Sequence, residues 1–233
     1  MDVVYTFKKN ENCEEIIYSL RSLINLPHDK VVIVGDWPDI LNQENVYYIP
    51  VEQENNKYQN TLNSLKIVCS DNKISDDFIL MNDDFFIMSP IKNIEELNCN
   101  YGTLEENILR YEQKKFTNNW FRGLKETYAL LKKIGIYNPL NFELHIPFIV
   151  NKKYFLIMLE TPGIEQINFL QKRSLYGNLF SINSTFLKDP KIFNETEFEL
   201  NKNNKFLSCS EKGWKIIKPF ISIRFNTKSI YEN

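Results

Sequence analysis

Apolar residues in the first hundred positions follow two rhythms. Val3 to Phe7, Val31 to Val34, Val46 to Ile49 and Phe78 to Met81 are short apolar runs that read as strands. The Val31 and Phe78 runs are continuous enough to be covered on both faces. Between the runs, apolar residues recur every three or four positions. Ile16, Ile17, Leu20, Leu23 and Ile24 make one helical stripe, opened by Asn12 as a cap with Glu15 three residues on, and closed by Pro27. A second helix is predicted around Asn60 to Val68. Strands that alternate with helices need crossover connections, and these give a mostly parallel sheet with helices on its faces. The expected class is therefore α/β, a Rossmann-type sheet flanked by helices, with further helices and strands appended towards the C-terminus.

Residues 103 to 135 read as one helical stretch. Thr103 and Glu106 form a capping box, Leu124, Tyr128 and Leu131 a stripe, and Gly135 a stop. Shorter helices are predicted after His145 and over Arg173 to Phe180. The Asn- and Lys-rich stretch 201 to 205 reads as a turn, and Phe206 to Cys209 and Phe220 to Phe225 as two late strands.

With 233 residues and 43% hydrophobic content, the chain can bury one sizeable core, so a single domain spanning 1–233 is expected. Twenty-eight basic residues nearly balance thirty acidic ones, which leaves no global field to attract nucleic acid or an anionic membrane. Cys13, Cys69, Cys99 and Cys209 are too scattered for a zinc ribbon or a disulfide framework, and reduced thiols are expected. No basic leader with an apolar run opens the sequence, and no stretch reaches the roughly eighteen apolar residues of a membrane span. A soluble, cytoplasmic protein is the expectation.

In open α/β sheets ligands bind beyond the carboxyl ends of the strands. Three polar segments occupy such ends: Thr6-Phe7-Lys8, Gly35-Asp36 and Asn82-Asp83-Asp84. An isolated Asp-Asp pair is more often a turn or a helix cap, and it is the position at a strand end that singles this one out. Two adjacent carboxylates repel, so keeping both ionised there favours a divalent cation, magnesium or manganese, whose open positions a pyrophosphate could fill. There is no Gly-rich phosphate loop, and nucleoside triphosphatase and nicotinamide chemistry lack their signatures. Of the two histidines, His28 beside Pro27 reads as an exposed turn. His145, two residues before Pro147, suits a fixed loop, although a lone His is more often structural than catalytic. Arg173 and Arg224 are the arginines available to grip a phosphate, and sequence alone does not choose between them.

Several of these segments, in order, resemble the blocks of the Stealth-type sugar phosphotransferases. Asp2-Val3-Val4-Tyr5-Thr6, Tyr18-Ser19-Leu20-Arg21-Ser22 and Val31 to Asp36 are similar to the opening of that family. Leu80 to Phe86 is similar to its second block, His145-Ile146-Pro147 with Arg173-Ser174 to its third, and Lys205 to Cys209 faintly to its fourth. The resemblance implies a GT-A-like core that moves a sugar 1-phosphate from a nucleotide-sugar donor to a glycan hydroxyl. Residues 1–100 would be the donor-binding core and 101–233 the helical, acceptor-side elements. It also implies that Asp83 and Asp84 serve the cation and pyrophosphate, that His145 and Arg173 serve proton transfer and phosphate charge, and that Tyr5, Thr6, Arg21, Gly35, Asp36 and Asn82 contact the donor. The chain departs from the pattern after Thr6, where Phe7-Lys8-Lys9 replaces Trp and an acidic residue. The loop before Asn60 is short, and the fourth block lacks its acidic ending. Two other readings stay open. One is an ordinary glycosyltransferase that moves the sugar itself to a glycan, a protein or a modified DNA base, the last not favoured by the charge balance. The other is a non-catalytic glycan-binding domain.

Overall fold

The computed structural model describes residues 1–9, 14–54 and 56–233. The central sheet has the order β3-β2-β1-β4-β7. Its four parallel members are β1 (Asp2–Phe7), β2 (Val31–Gly35), β3 (Val46–Pro50) and β4 (Asp77–Met81). After β4 the chain turns tightly at Asn82-Asp83-Asp84 into β5 (Phe85–Ile87), the backbone N–H of Phe85 donating to the Asn82 carbonyl. β6 (Cys99–Asn100) follows, and β7 (Phe148–Asn151) closes the central sheet antiparallel to β4. Side chains alternate across the sheet. Val4, Val32 and Leu80 enter one apolar cluster, while Val3, Tyr5, Ile33 and Ile79 enter another on the opposite face. This double coverage is why the runs are apolar without interruption.

Helix α1 (Glu15–Ser22) covers the second face, and α2 (Lys57–Ser70), capped by Asn56, covers the first. The Asn12 cap expected for the first helix lies outside the described residues. The 103 to 135 stretch is two helices, α3 (Leu104–Gln113) and α4 (Asn119–Lys133). The Thr103–Glu106 box opens α3 as expected. The break comes where Lys115 takes a positive φ of 56° and Asn118 caps a fresh start by accepting from the Phe121 N–H. Two starts compete with one long stripe, and the second cap prevails.

Beyond β7 come α5 (Lys152–Leu159) and α6 (Lys172–Leu179). The short strands β8 (Thr185–Phe186) and β9 (Lys191–Ile192) are followed by α7 (Glu195–Asn201) and β10 (Phe206–Cys209). β10 lies between β5 and β9, and β6 pairs with β8. The strand expected at Phe220 to Phe225 is instead the end of a helix, α8 (Glu211–Arg224). Ser210 caps it, and Trp214, Ile217 and Ile221 bury one face at helical spacing, which overrides the local alternation of Phe220-Ile221-Ser222-Ile223. Among the described residues no helix is long and apolar enough to cross a membrane. Cys69, Cys99 and Cys209 are buried free thiols, and Cys13 lies outside the described residues.

Candidate functional site

A cavity of about 360 Å³ opens beyond the carboxyl ends of β1 and β4. Thr6 and Lys8 enter it from the end of β1, Lys57 and Thr61 from the first turns of α2, and Asn82 and Asp83 from the β4–β5 turn. The far wall is Glu143, His145, Lys172 and Arg173, from the loop before β7 and the start of α6.

His145 is held by a residue that sequence reasoning missed. Its Nδ1 lies 2.9 Å from Asp189 Oδ2, and its backbone N–H donates to Asp189 Oδ1 at 3.2 Å. Burial alone would raise the Asp189 carboxyl, but the His145 charge and its two kinds of hydrogen bond bring it below the ordinary carboxylate range. With Nδ1 committed, Nε2 is the nitrogen left for proton transfer, in the manner of a base oriented by a carboxylate. In sequence Asp189 is one acid among thirty, standing before a proline, and nothing local marks it.

Arg173 is buried, and its Nη1 donates to the carbonyls of Leu144 and Ile146 at 2.7 and 2.8 Å, which clamps the loop on both sides of His145. Its guanidinium also lies over Phe85 and Phe148. Beside it, Lys172 has its pKa pulled down to about 8, chiefly by burial, with Glu143 opposing. Both cations sit in the first turn of α6, where the helix dipole disfavours positive charge. Glu143 offsets part of this by accepting from the Ser174 N–H at 2.8 Å. Among the described residues no carboxylate comes within ion-pair distance of Lys172 or Arg173. Two poorly compensated cations at a helix start are groups that an anion would stabilise.

The two aspartates lie in the β4–β5 turn, not on a continuing strand, and they diverge there. Asp83 faces the cavity, and burial, then Asp84 and Glu15, push its carboxyl up to about 7. Asp84 instead accepts from Lys191 Nζ at 3.3 Å and Ser208 Oγ at 3.1 Å. Among the described residues no group of three or more His, Cys, Asp or Glu side chains is placed to hold a metal ion.

Of the expected donor contacts, Thr6 and Asn82 line the cavity and the other four do not. Tyr5 is fully buried with its hydroxyl 3.0 Å from Ser19 Oγ, and Ser19 in turn donates to the Phe85 carbonyl, so Tyr5 supports the β4–β5 turn from beneath. Gly35 has φ +118°, and a Cβ there would lie 2.2 Å from the Phe7 carbonyl. Asp36 accepts from the Lys9 N–H at 2.8 Å, so this pair ties down the exit of β1. Arg21 is turned to the C-terminal tail, with its Nε and Nη2 on the Glu232 carboxylate and its Nη1 on the Phe225 carbonyl. That bidentate pairing satisfies the guanidinium away from the cavity. His28 bridges the Leu26 carbonyl and the Tyr231 hydroxyl, and Arg224 donates to the Met88 carbonyl, which makes both structural.

No protein-family model matches the sequence, and no curated protein matches it. Among solved structures, the galactosyltransferase LgtC in complex with donor and acceptor sugar analogs superposes with a TM-score of 0.54 at 12% identity. The match covers 98% of this chain and 96% of that one. The fold is GT-A-like. An active-site mutant of LgtC (TM-score 0.46, 14% identity, 98% and 84% coverage) and the glycosyltransferase GlyE of Streptococcus pneumoniae TIGR4 (0.46, 12%, 97% and 62%) are also similar. In this GT-A-like frame the cavity occupies the carboxyl edge of the parallel strands, where open α/β sheets hold their ligands.

Proposed function

We propose that the protein is a nucleotide-sugar-dependent transferase that moves the sugar to a hydroxyl of a glycan acceptor. The observation that carries this reading is one cavity joining an anion seat, Lys172 and Arg173, to a base oriented by a carboxylate, His145 with Asp189. Lys8, whose Nζ donates to the Glu54 carbonyl, and Lys57 line the same cavity, which suits a pyrophosphate lying between β1, α2 and α6. Residues 1–100 thus supply Lys8, Lys57 and Asp83, and residues 101–233 supply the base and the second pair of cations. LgtC, solved with donor and acceptor analogs, shares the fold and supports the same substrate pair here.

The acceptor hydroxyl gives its proton to His145 Nε2 as its oxygen bonds to the anomeric carbon. The bond from that carbon to the diphosphate breaks, and a nucleoside diphosphate leaves with its charge spread over the four cations. Asp189 holds the imidazole in one tautomer and stabilises it once protonated.

The donor set also bears on a divalent cation. Asp83 and Asn82 present hard oxygens to the cavity, and magnesium and manganese accept one or two carboxylates while substrate phosphates and water fill the rest. These residues fit such an ion. Asp83 would hold it with Asn82 beside it, and bound there it would neutralise pyrophosphate charge next to a carboxylate that burial otherwise protonates. Asp84, engaged by Lys191 and Ser208, positions the turn.

A second reading, transfer of sugar 1-phosphate, is favoured by the placement of Arg173 immediately behind the His145 loop, where cationic charge would meet an attacked phosphorus. The three free thiols suit a reducing, cytoplasmic site of action for either. Chromatography of nucleotides released from a panel of nucleotide sugars with glycan acceptors separates the readings. Nucleoside diphosphate with sugar added to the acceptor is expected. Nucleoside monophosphate with sugar phosphate added would establish the second reading, and no release from any donor would overturn both.

A further inference from the structure

The region behind the His145–Asp189 pair contains a second cavity, of about 470 Å³. The stretch 185–191 takes part in both sites. Asp189 in that stretch bonds His145 and Lys191 bonds Asp84, while Leu187 and Pro190 line the second cavity. The remaining wall comes from the 3-10 turn Ile94–Leu97 and the turn into β10.

The two cavities differ in charge, and the difference decides what each can hold. The first gathers Lys8, Lys57, Lys172 and Arg173 against Asp83 and Glu143. In the second, Lys205 is consumed by its ion pair with Glu96, which leaves Glu95 as the uncompensated charge. A nucleotide or a free phosphate would be repelled there. What the lining offers is hydrogen-bond acceptors over an apolar floor. Glu95 is exposed, and among the described residues its carboxylate accepts from Asn93 Nδ2 alone, at 3.5 Å, while Asn204 uses its Nδ2 on Asn201, which keeps its own carbonyl oxygen available. Leu187, Pro190 and Phe206 form the floor. Polar groups above an apolar base recognise a compact, uncharged ligand with many hydroxyls, and the volume lies in the range of small-ligand sites.

We propose that this cavity is a second carbohydrate site, which holds a neutral sugar unit of the acceptor against the 185–191 stretch, outside the reacting centre. The transferase reading enters only in naming the ligand an acceptor. The site also gives the acceptor a handle on catalysis, because a ligand resting on Pro190 bears on the backbone that sets both Asp189 and Lys191.

Saturation-transfer NMR on the full chain, without donor, tests this with lactose and the methyl pyranosides of glucose, galactose and N-acetylglucosamine. At least one saccharide should bind, uridine diphosphate should not displace it, and Glu95→Ala with Asn204→Ala should weaken it about tenfold, the loss of roughly one good hydrogen bond. If the double variant melts early, Glu95→Gln alone, on an exposed side chain, should still weaken binding. No bound saccharide, full displacement by uridine diphosphate, or unchanged affinity in the variants would overturn the proposal. A protein that binds saccharide in this way but releases no nucleotide from any donor would sink the transferase reading and leave this site standing.

Discussion

Asp83 is unstable where it stands, and that makes it the most informative single residue. Burial first, then Asp84 and Glu15, push its carboxyl up to about 7 in the folded chain against about 4 when unfolded, so the unfolded state ionises first as pH rises. Folding stability from this group is present below about pH 4 and is lost as pH climbs towards 7. Asp83→Asn should therefore melt higher than the wild type at pH 8, by a few degrees, with the gain vanishing near pH 4, while turnover is lost. Thermal melts across pH 4 to 8 check this, and a gain that does not grow with pH would refute it. At His145 the expectation concerns rate. His145→Ala should lower kcat by about 10² to 10⁴ with donor affinity retained, Asp189→Asn should lower it by a smaller factor, and His28→Ala should leave it unchanged. Lys172 predicts a pH effect on binding. Affinity for inorganic pyrophosphate should fall as pH rises through about 8, where this lysine loses its proton, and Lys172→Arg should flatten that dependence. Isothermal titration at pH 7 and 9 reads the difference.

At the scale of elements, α4 shows how packing reaches the cavity. A Cβ on Gly123 would come within 1.9 Å of the Phe169 carbonyl, in the segment that leads into Lys172 and Arg173. Gly123→Ala should cost about 1–3 kcal/mol of stability by chemical denaturation and should weaken pyrophosphate binding as well, because α6 must shift with its approach segment. The elements themselves were largely legible in the sequence. Continuous apolar runs identified β1, β2 and β4, and the Thr103 capping box identified the start of α3. The failures have local causes. Asn118 restarts a helix within a pattern that looked unbroken, and the Trp214, Ile217 and Ile221 stripe outweighs a short alternation near Phe220. The candidate site was legible where chemistry sits at a strand end, as with Asp83, whereas Arg173 was singled out from Arg224 only by the family resemblance. It was illegible where the partner comes from remote sequence. Asp189 meets His145 across 44 residues and Lys191 meets Asp84 across 107, separations that only the folded chain brings together.

At the scale of the whole molecule, the C-terminal tail is fastened to the first helix. Arg21 and Glu232 pair in bidentate fashion with both side chains mostly buried, and Glu232 lies in a bridge with Leu41. Glu232→Ala should cost about 1–3 kcal/mol, since it leaves a guanidinium without its charged partner, and pyrophosphate affinity should not change. A large loss of affinity would return Arg21 to the donor site. The stretch 185–191 has a consequence of a different kind. Asp189 and Lys191 are two positions apart, so one local register presents both partners, one to the imidazole and one to Asp84. Inserting a single residue before Asp189 would force a choice between the β9–β10 pairing that sets Lys191 opposite Ser208 and the contact of Asp189 with His145, while the β5–β10 pairing and the central sheet stay as they are. The two halves of the reacting centre are in this sense geared to one tooth of chain. Lineages that altered the length of this segment would have to rebuild the base and the aspartate turn together, whereas those that altered only its outward side chains could change what the molecule grips without disturbing how it reacts.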